Sequence, residues 1–325
     1  MGEYIESNDL KKQILMGSNN VSLRIESADF IKGIMITLMV TFHLPLNGLI
    51  CEAYPYVYTF HMPTFLVLSG FFLKVEKDNK LFYRGLSNIA IPYILFQSIY
   101  LFVIGLLPQY IPTANHIENF SFKTIVYGLL FKPYGTYWYL HTLLIYAICL
   151  KICYEIAKKE LLHAIVLSIS CFAILDYFLE GFEFTYAIYL IAGSICKLIY
   201  IKNKDIKISS ITSIIPIFII FVCSSNPSRY QLTTGFVITL LMISFCSALY
   251  KYIPQRTSII INYIGRNSLC IVLFSSYYNV VIKFIAPYFS FDKTGFSIAL
   301  IGTTLVTLFC LLTKNILKKL QFNYV

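Results

Sequence analysis

The sequence predicts an all-α, polytopic integral membrane protein of about ten transmembrane helices, and three observations predict it. Of 325 residues, 58% are hydrophobic and only 13% are charged, against roughly 25% charged in a soluble domain. Apolar stretches recur along the whole chain, each near the twenty or so residues that a helix needs to cross the hydrocarbon core. Most of them lack the polar stripe that a helix at a water-facing surface would carry. Lysine and arginine, finally, are distributed unevenly among the connecting segments, in the bias that places basic loops on the cytoplasmic side.

Residues 1–22 are polar and include Lys11 and Lys12. They lack the pattern of a cleavable signal, and the first apolar run, near Phe30, is long enough to stay in the membrane as an anchor. The expected organisation is a polar cytoplasmic segment, 1–22, followed by one membrane domain, 23–325. Spans are expected near 30–50, 55–73, 89–107, 137–156, 161–179, 184–201, 208–224, 231–250, 267–286 and 295–313. With loops assigned to alternate sides, Lys74, Lys77, Lys80, Arg84, Lys151, Lys197, Arg266 and Lys314 fall on one side. Lys123, Lys132, Arg229 and Lys293 fall on the other. This places both termini in the cytoplasm and accounts for the net charge of +10 without a nucleic-acid partner.

No internal repeat is visible. The longest segment between spans, 108–136, lies on the outer side, and its weakly apolar piece Phe122–Phe131 suits the interface. The chain ends soon after the last span, so the chemistry is expected of the membrane helices and their short loops. The nine cysteines show no zinc or redox pair at short spacing and read as small packing residues.

Ionisable groups within a span are costly and each needs a reason. The first span carries Lys32 and His43, eleven residues apart and so on nearly the same helix face. They are separated by roughly 16 Å at 1.5 Å per residue. Asp29, one turn before Lys32, is placed to pair with it. Read blandly, Lys32 is a snorkelling lysine and His43 a histidine hydrogen-bonded between packed helices. The second span opens with Phe60-His61-Met62-Pro63 and continues to Ser69-Gly70, where a neighbouring helix or a ligand can come close. His61 re-enters on the side where His43 lies. Two histidines without a suitably spaced third ligand do not make a metal site, so no metal is expected. An acid–base or substrate-orienting pair fits better.

Lys32 and His43 with Asp29 before and Gly33 after resemble the first signature of the acyltransferase-3 family. Phe60-His61-Met62-Pro63-Thr64-Phe65 and Leu68-Ser69-Gly70-Phe71-Phe72 resemble its second, closest to the fucose 4-O-acetylase-like branch. Ile91-Pro92-Tyr93, Tyr137-Trp138-Tyr139-Leu140 and Ile264-Gly265-Arg266-Asn267-Ser268-Leu269 are similar to its later landmarks, in order along nearly the whole chain. The resemblance implies ten helices and transfer of an acyl group, usually acetyl from acetyl-CoA, to an extracytoplasmic surface glycan or lipid-linked sugar. It implies a bacterial cytoplasmic membrane location, His43 as catalytic residue and Lys32 as a donor contact. Arg84 matches one of two basic positions found after the second span in many members; the other is Asn88 here. Ser275 stands where many members have a late histidine.

The residues themselves agree with that chemistry. A basic inner mouth with Lys32 and Arg84 suits the phosphates of acetyl-CoA. A neutral histidine can take a proton from a sugar hydroxyl near pH 7, or can carry the acyl group itself. Trp138, at the outer start of the fourth span, reads as an interfacial anchor or as a platform for a sugar face. His141 lies one turn on, and Asp176, near the outer end of the fifth span, reads as a histidine-orienting or sugar-binding carboxylate or as a helix-end residue. The rival readings are a transporter or flippase, against which stands the lack of matching broken helices, and a non-catalytic subunit of polysaccharide export.

Overall fold

The computed structural model describes residues 26–106, 120–178, 182–202, 209–223 and 232–322. The polar segment 1–22 and parts of several loops, Arg229 among them, lie outside the described residues. Every regular element among those described is helical. Six helices are long and apolar enough to cross a membrane: α5 (Asn79–Leu106), α7 (Trp138–Ile156), α8 (Leu161–Phe178), α9 (Phe184–Lys202), α13 (Ser268–Ile285) and α14 (Phe296–Lys319). Two shorter apolar helices, α10 (Ile214–Cys223) and α11 (Leu232–Leu249), accompany them. Their outward faces carry bare aliphatic and aromatic side chains, such as Leu162, Val166 and Ile174 on α8, as expected where the solvent is lipid.

The first two expected spans take a different form. Helix α1 (Glu26–Phe42) stops one residue before His43, because Pro45 bars the helical conformation at the preceding residue and removes a donor. Two single-turn pieces follow, α2 (Gly48–Glu52) and α3 (Tyr54–Tyr58), and then α4 (His61–Phe72) of only twelve residues. Both α1 and α4 are central. Every residue from His61 to Leu68 is buried, as are Phe30, Met35, Met39 and Val40 of α1. They need not match the lipid thickness, because the longer helices shield them from it.

Glycine sets how closely these central helices are held. A Cβ added at Gly70 of α4 would lie 2.0 Å from Leu190 O of α9, and one at Gly193 of α9 would lie 2.0 Å from Val67 O of α4. The same device joins α1 to α12 (Gln255–Arg266). Cβ atoms added at Gly265 and Gly33 would lie 1.8 Å from Asp29 O and 2.2 Å from Ile261 O. Small residues here let backbones touch, which is how helices bind one another where lipid offers no hydrophobic drive. Helix α12 was not among the expected spans. Its buried face is Ser258, Asn262 and Gly265, while Ile259, Ile260 and Tyr263 face outward.

The piece Phe122–Phe131 forms helix α6 (Phe122–Leu130), with Ser121 capping Thr124 N at 3.2 Å. The last carbonyls of any helix lack internal partners. Here Gly128 O accepts from Gln97 Nε2 at 2.9 Å, Leu129 O from the Tyr93 hydroxyl at 2.7 Å, and Leu130 O from His141 Nε2 at 2.9 Å.

Candidate active site

Helices α1 and α4 run in opposite directions, so one end of the pair carries Lys32 and the loop after α4, and the other carries His43 and His61. At the first end, Asp29 is buried in the opening turn of α1. One carboxylate oxygen accepts from Lys32 Nζ at 3.2 Å. The other lies 3.4 Å from Arg266 Nε. Arg266 also reaches Glu26 at 3.8 Å, and Glu26 accepts from the Tyr250 hydroxyl at 2.7 Å. Acidic groups in a first helical turn and a cation in the last turn of α12 both complement the helix dipoles. The sequence pairs Asp29 with Lys32 and shows Arg266 as a cytoplasmic-side cation within a late landmark, with no sign that it reaches Asp29. The close Gly265–Asp29 approach is what delivers Arg266 to the carboxylate.

Lys32 also lies 5.3 Å from the centre of the Phe72 ring. Its ammonium opens on a cavity of about 180 Å³ lined by Phe65, Leu68, Ser69 and Phe72 of α4, by Ile89 of α5, by Tyr139, Leu140 and Leu143 of α7, and by Ser268, Leu269 and Val272 of α13. Four of the sequence landmarks thus meet around one space. Ser69 is tied across it to the Tyr139 hydroxyl at 2.6 Å. The cavity reaches no deeper than Phe65, one turn short of His61, and neither histidine lines it. Phe65 and Tyr139 meet edge to face at 5.8 Å at this depth.

At the opposite end, His43 is half-buried and His61 fully buried. Each places Nδ1 against the carbonyl four residues earlier: His43 to Met39 O at 2.7 Å, and His61 to Val57 O at 2.8 Å. A carbonyl only accepts, so Nδ1 carries the hydrogen in both rings. In the neutral form the lone pair therefore sits on Nε2 of both, which makes Nε2 the nitrogen able to accept a proton. Tyr58, which the sequence reading did not single out, stands between them. Its hydroxyl lies 3.4 and 3.5 Å from the two His43 nitrogens, and its ring meets His61 edge to face at 4.6 Å. Tyr54 stacks behind it at 3.9 Å. The position of Tyr58 three residues before His61 was the available signal.

A second loop frames this end. Ile50 N donates to Thr294 O at 3.1 Å. The Asp292 carboxylate accepts from the Thr294 hydroxyl at 2.6 Å, from Ser297 N at 2.6 Å and from Thr294 N at 2.9 Å. These bonds, the Thr294 hydroxyl first, hold its carboxyl well below the usual carboxylate range.

The remaining expected residues are distributed elsewhere. Arg84 is exposed and lines neither the Lys32 cavity nor the space beside it. Trp138 packs on Tyr186 at 4.5 Å. His141 is engaged at the end of α6, beside Tyr93. Asp176 is exposed and accepts from Phe184 N at 2.8 Å, at the start of α9. The fold also brings Cys171 of α8 to the pair Cys149 and Cys153, one turn apart on α7: the three sulfurs lie within 4.8 Å of one another.

The architecture is that of an integral membrane protein that concentrates its polar chemistry on two buried central helices. A model of the acyltransferase-3 family, an acyltransferase domain, matches residues 25–314, and the chain belongs to that family. Membership makes it a membrane acyltransferase. No curated protein and no solved structure matches the chain.

Proposed function

We propose that the protein transfers an acyl group, acetyl in the first instance, from cytoplasmic acetyl-CoA to a hydroxyl of an extracytoplasmic glycan or lipid-linked sugar. It does so in a bacterial cytoplasmic membrane. The observation that carries this reading is the polarity of the α1–α4 pair: a cation-bearing cavity at one end and two histidines of matching tautomer at the other. The positive-inside bias orients the pair, with Lys32 inward and His43 outward. Ten crossings follow if α1, α4, α10 and α11 join the six long helices, and both termini are then cytoplasmic.

In this mechanism Lys32 holds the donor from the inner side, with Asp29 and Arg266 fixing where its ammonium points. His43 Nε2 takes the proton from the acceptor hydroxyl as that oxygen attacks the thioester carbonyl. The carbon–sulfur bond breaks, and the imidazolium returns the proton to the departing thiolate. The Met39 carbonyl steadies the imidazolium by accepting from Nδ1–H throughout. Tyr58 orients the ring.

The test uses proteoliposomes of defined orientation. Acetyl-CoA is expected to support transfer only from the face that carries Lys32, and a membrane-impermeant acceptor only from the other. Full activity with both substrates confined to the Lys32 face would refute transfer across the membrane.

A further inference from the structure

The loop joining α4 to α5 is held from inside by two lysines. Lys151 of α7 is buried, and its ammonium has three hydrogens to place. All three have partners: Val75 O and Lys77 O, each at 2.9 Å, and Glu155 Oε1 at 2.8 Å. The rings of Phe82 and Tyr154 lie 5.5 and 5.4 Å away. Lys197 of α9 donates to Leu73 O at 2.8 Å and to the Glu76 carboxylate at 2.6 and 2.9 Å. Carbonyl 73 is thus tied to α9 and carbonyls 75 and 77 to α7, and the Val75 side chain is sunk into the core.

Burying a lysine carries a desolvation penalty, and immobilising its long chain costs rotamer entropy. A loop that merely connected two helices would require neither. What these ties determine is where the intervening lysines point. Lys74 and Lys77 stay exposed and line a second cavity, of about 200 Å³, with Phe72, Phe82, Gly85 and Ile89. It shares Phe72 and Ile89 with the Lys32 cavity. Two cations thus stand at the mouth of a groove whose inner part holds a third. Gly85 leaves that mouth open, since a Cβ there would meet nothing within 4 Å.

We propose that Lys74 and Lys77 bind the phosphate groups of the acyl-CoA donor, with Lys151 as a positioning residue that holds their loop. This rests on the donor reading given above. An ammonium meets a phosphate as a point charge, and two of them on a tethered loop present that charge without first having to order the loop.

The experiment measures binding of coenzyme A, and of pantetheine, which lacks the phosphates, to the whole protein in nanodiscs of neutral lipid. Coenzyme A binding by the wild-type chain is expected to weaken as salt is added. The Lys74→Gln/Lys77→Gln variant is expected to bind coenzyme A roughly tenfold more weakly or worse, a loss typical of charged hydrogen bonds, with pantetheine binding unchanged. Lys151→Met is expected to raise the donor KM without lowering kcat, and Lys151→Arg to recover part of the loss. Gly85→Leu provides a variant that leaves every lysine in place: it fills the mouth and is also expected to weaken coenzyme A binding. Wild-type affinity for coenzyme A in the Lys74→Gln/Lys77→Gln variant would overturn this assignment while leaving the donor reading intact. Failure of the wild-type chain to bind coenzyme A would overturn both. A Lys151→Met enzyme with lowered kcat and unchanged KM would remove its positioning role.

Discussion

At the Lys32 end of the α1–α4 pair, the polar groups are ions that neutralise one another: Asp29 between Lys32 and Arg266, with Glu26 reaching Arg266 and Tyr250. At the His43 end, the corresponding groups are two imidazoles whose Nδ1 atoms rest on backbone carbonyls, with a tyrosine between them. Ions suit a mouth that must receive a charged molecule from water. Imidazoles whose Nδ1 atoms rest on carbonyls suit a place where a proton is moved. Under the proposed function, recognition belongs to one end and chemistry to the other, and that division can be broken experimentally.

The largest expected effect is at the histidine end. His43→Ala is expected to lower kcat at least roughly a hundredfold, the usual scale of lost general-base catalysis, with normal membrane insertion. A variant that acylates at near wild-type rate would end the assignment of chemistry to this end. Next, Lys32→Ala is expected to raise the donor KM by about tenfold, and Lys32→Arg by much less, because both are cations. Unchanged acetyl-CoA binding on direct titration of Lys32→Ala would reduce Lys32 to a structural lysine. Tyr58→Phe removes one hydroxyl beside His43, so a smaller loss is expected, within about tenfold. It should appear in kcat and in the pH profile; a wild-type pH–rate profile would show that Tyr58 only packs.

The smallest effect is expected at Asp292. Its carboxyl is held below its ordinary range by Thr294 and Ser297, so it stabilises the loop above that range and loses this as pH falls through its folded value. Asp292→Asn is therefore expected to lower the melting temperature slightly at neutral pH. The gap from wild type should close in strong acid; a gap that persists there would mean a neutral amide fails for another reason.

Much of this could be read from the chain. Lys32, Asp29, His43 and His61 stood out because ionisable residues in apolar runs are conspicuous, and two of the three later landmarks converge on the Lys32 cavity through Tyr139, Leu140, Ser268 and Leu269. What was illegible has physical causes. Apolar run length overstated α1, because Leu44 to Ile50 continue the hydrophobic pattern past the helix that Pro45 ends. Helix α12 escaped because its buried face is polar and small. Lys151, Lys197 and Arg266 read as loop charges, since nothing in one dimension distinguishes a lysine in water from one spent on backbone carbonyls. Tyr58 was one tyrosine among twenty-six.

On the proposed mechanism an acyl group must pass Phe65, and the reciprocal glycine contacts between α4 and α9 bear on how it could. Two backbones that touch at Gly70 and again at Gly193 have no side-chain layer to shear through, so the two helices move as a single stave. The wall carrying Phe65 and the histidine His61 is thereby fixed to α9. A passage from the Lys32 cavity to His61 must then be opened by the facing wall, where Tyr139 and Leu140 of α7 and Val272 of α13 close the same space. On the proposed mechanism the wall that carries His61 is the door frame, and the door is the other side of the bundle.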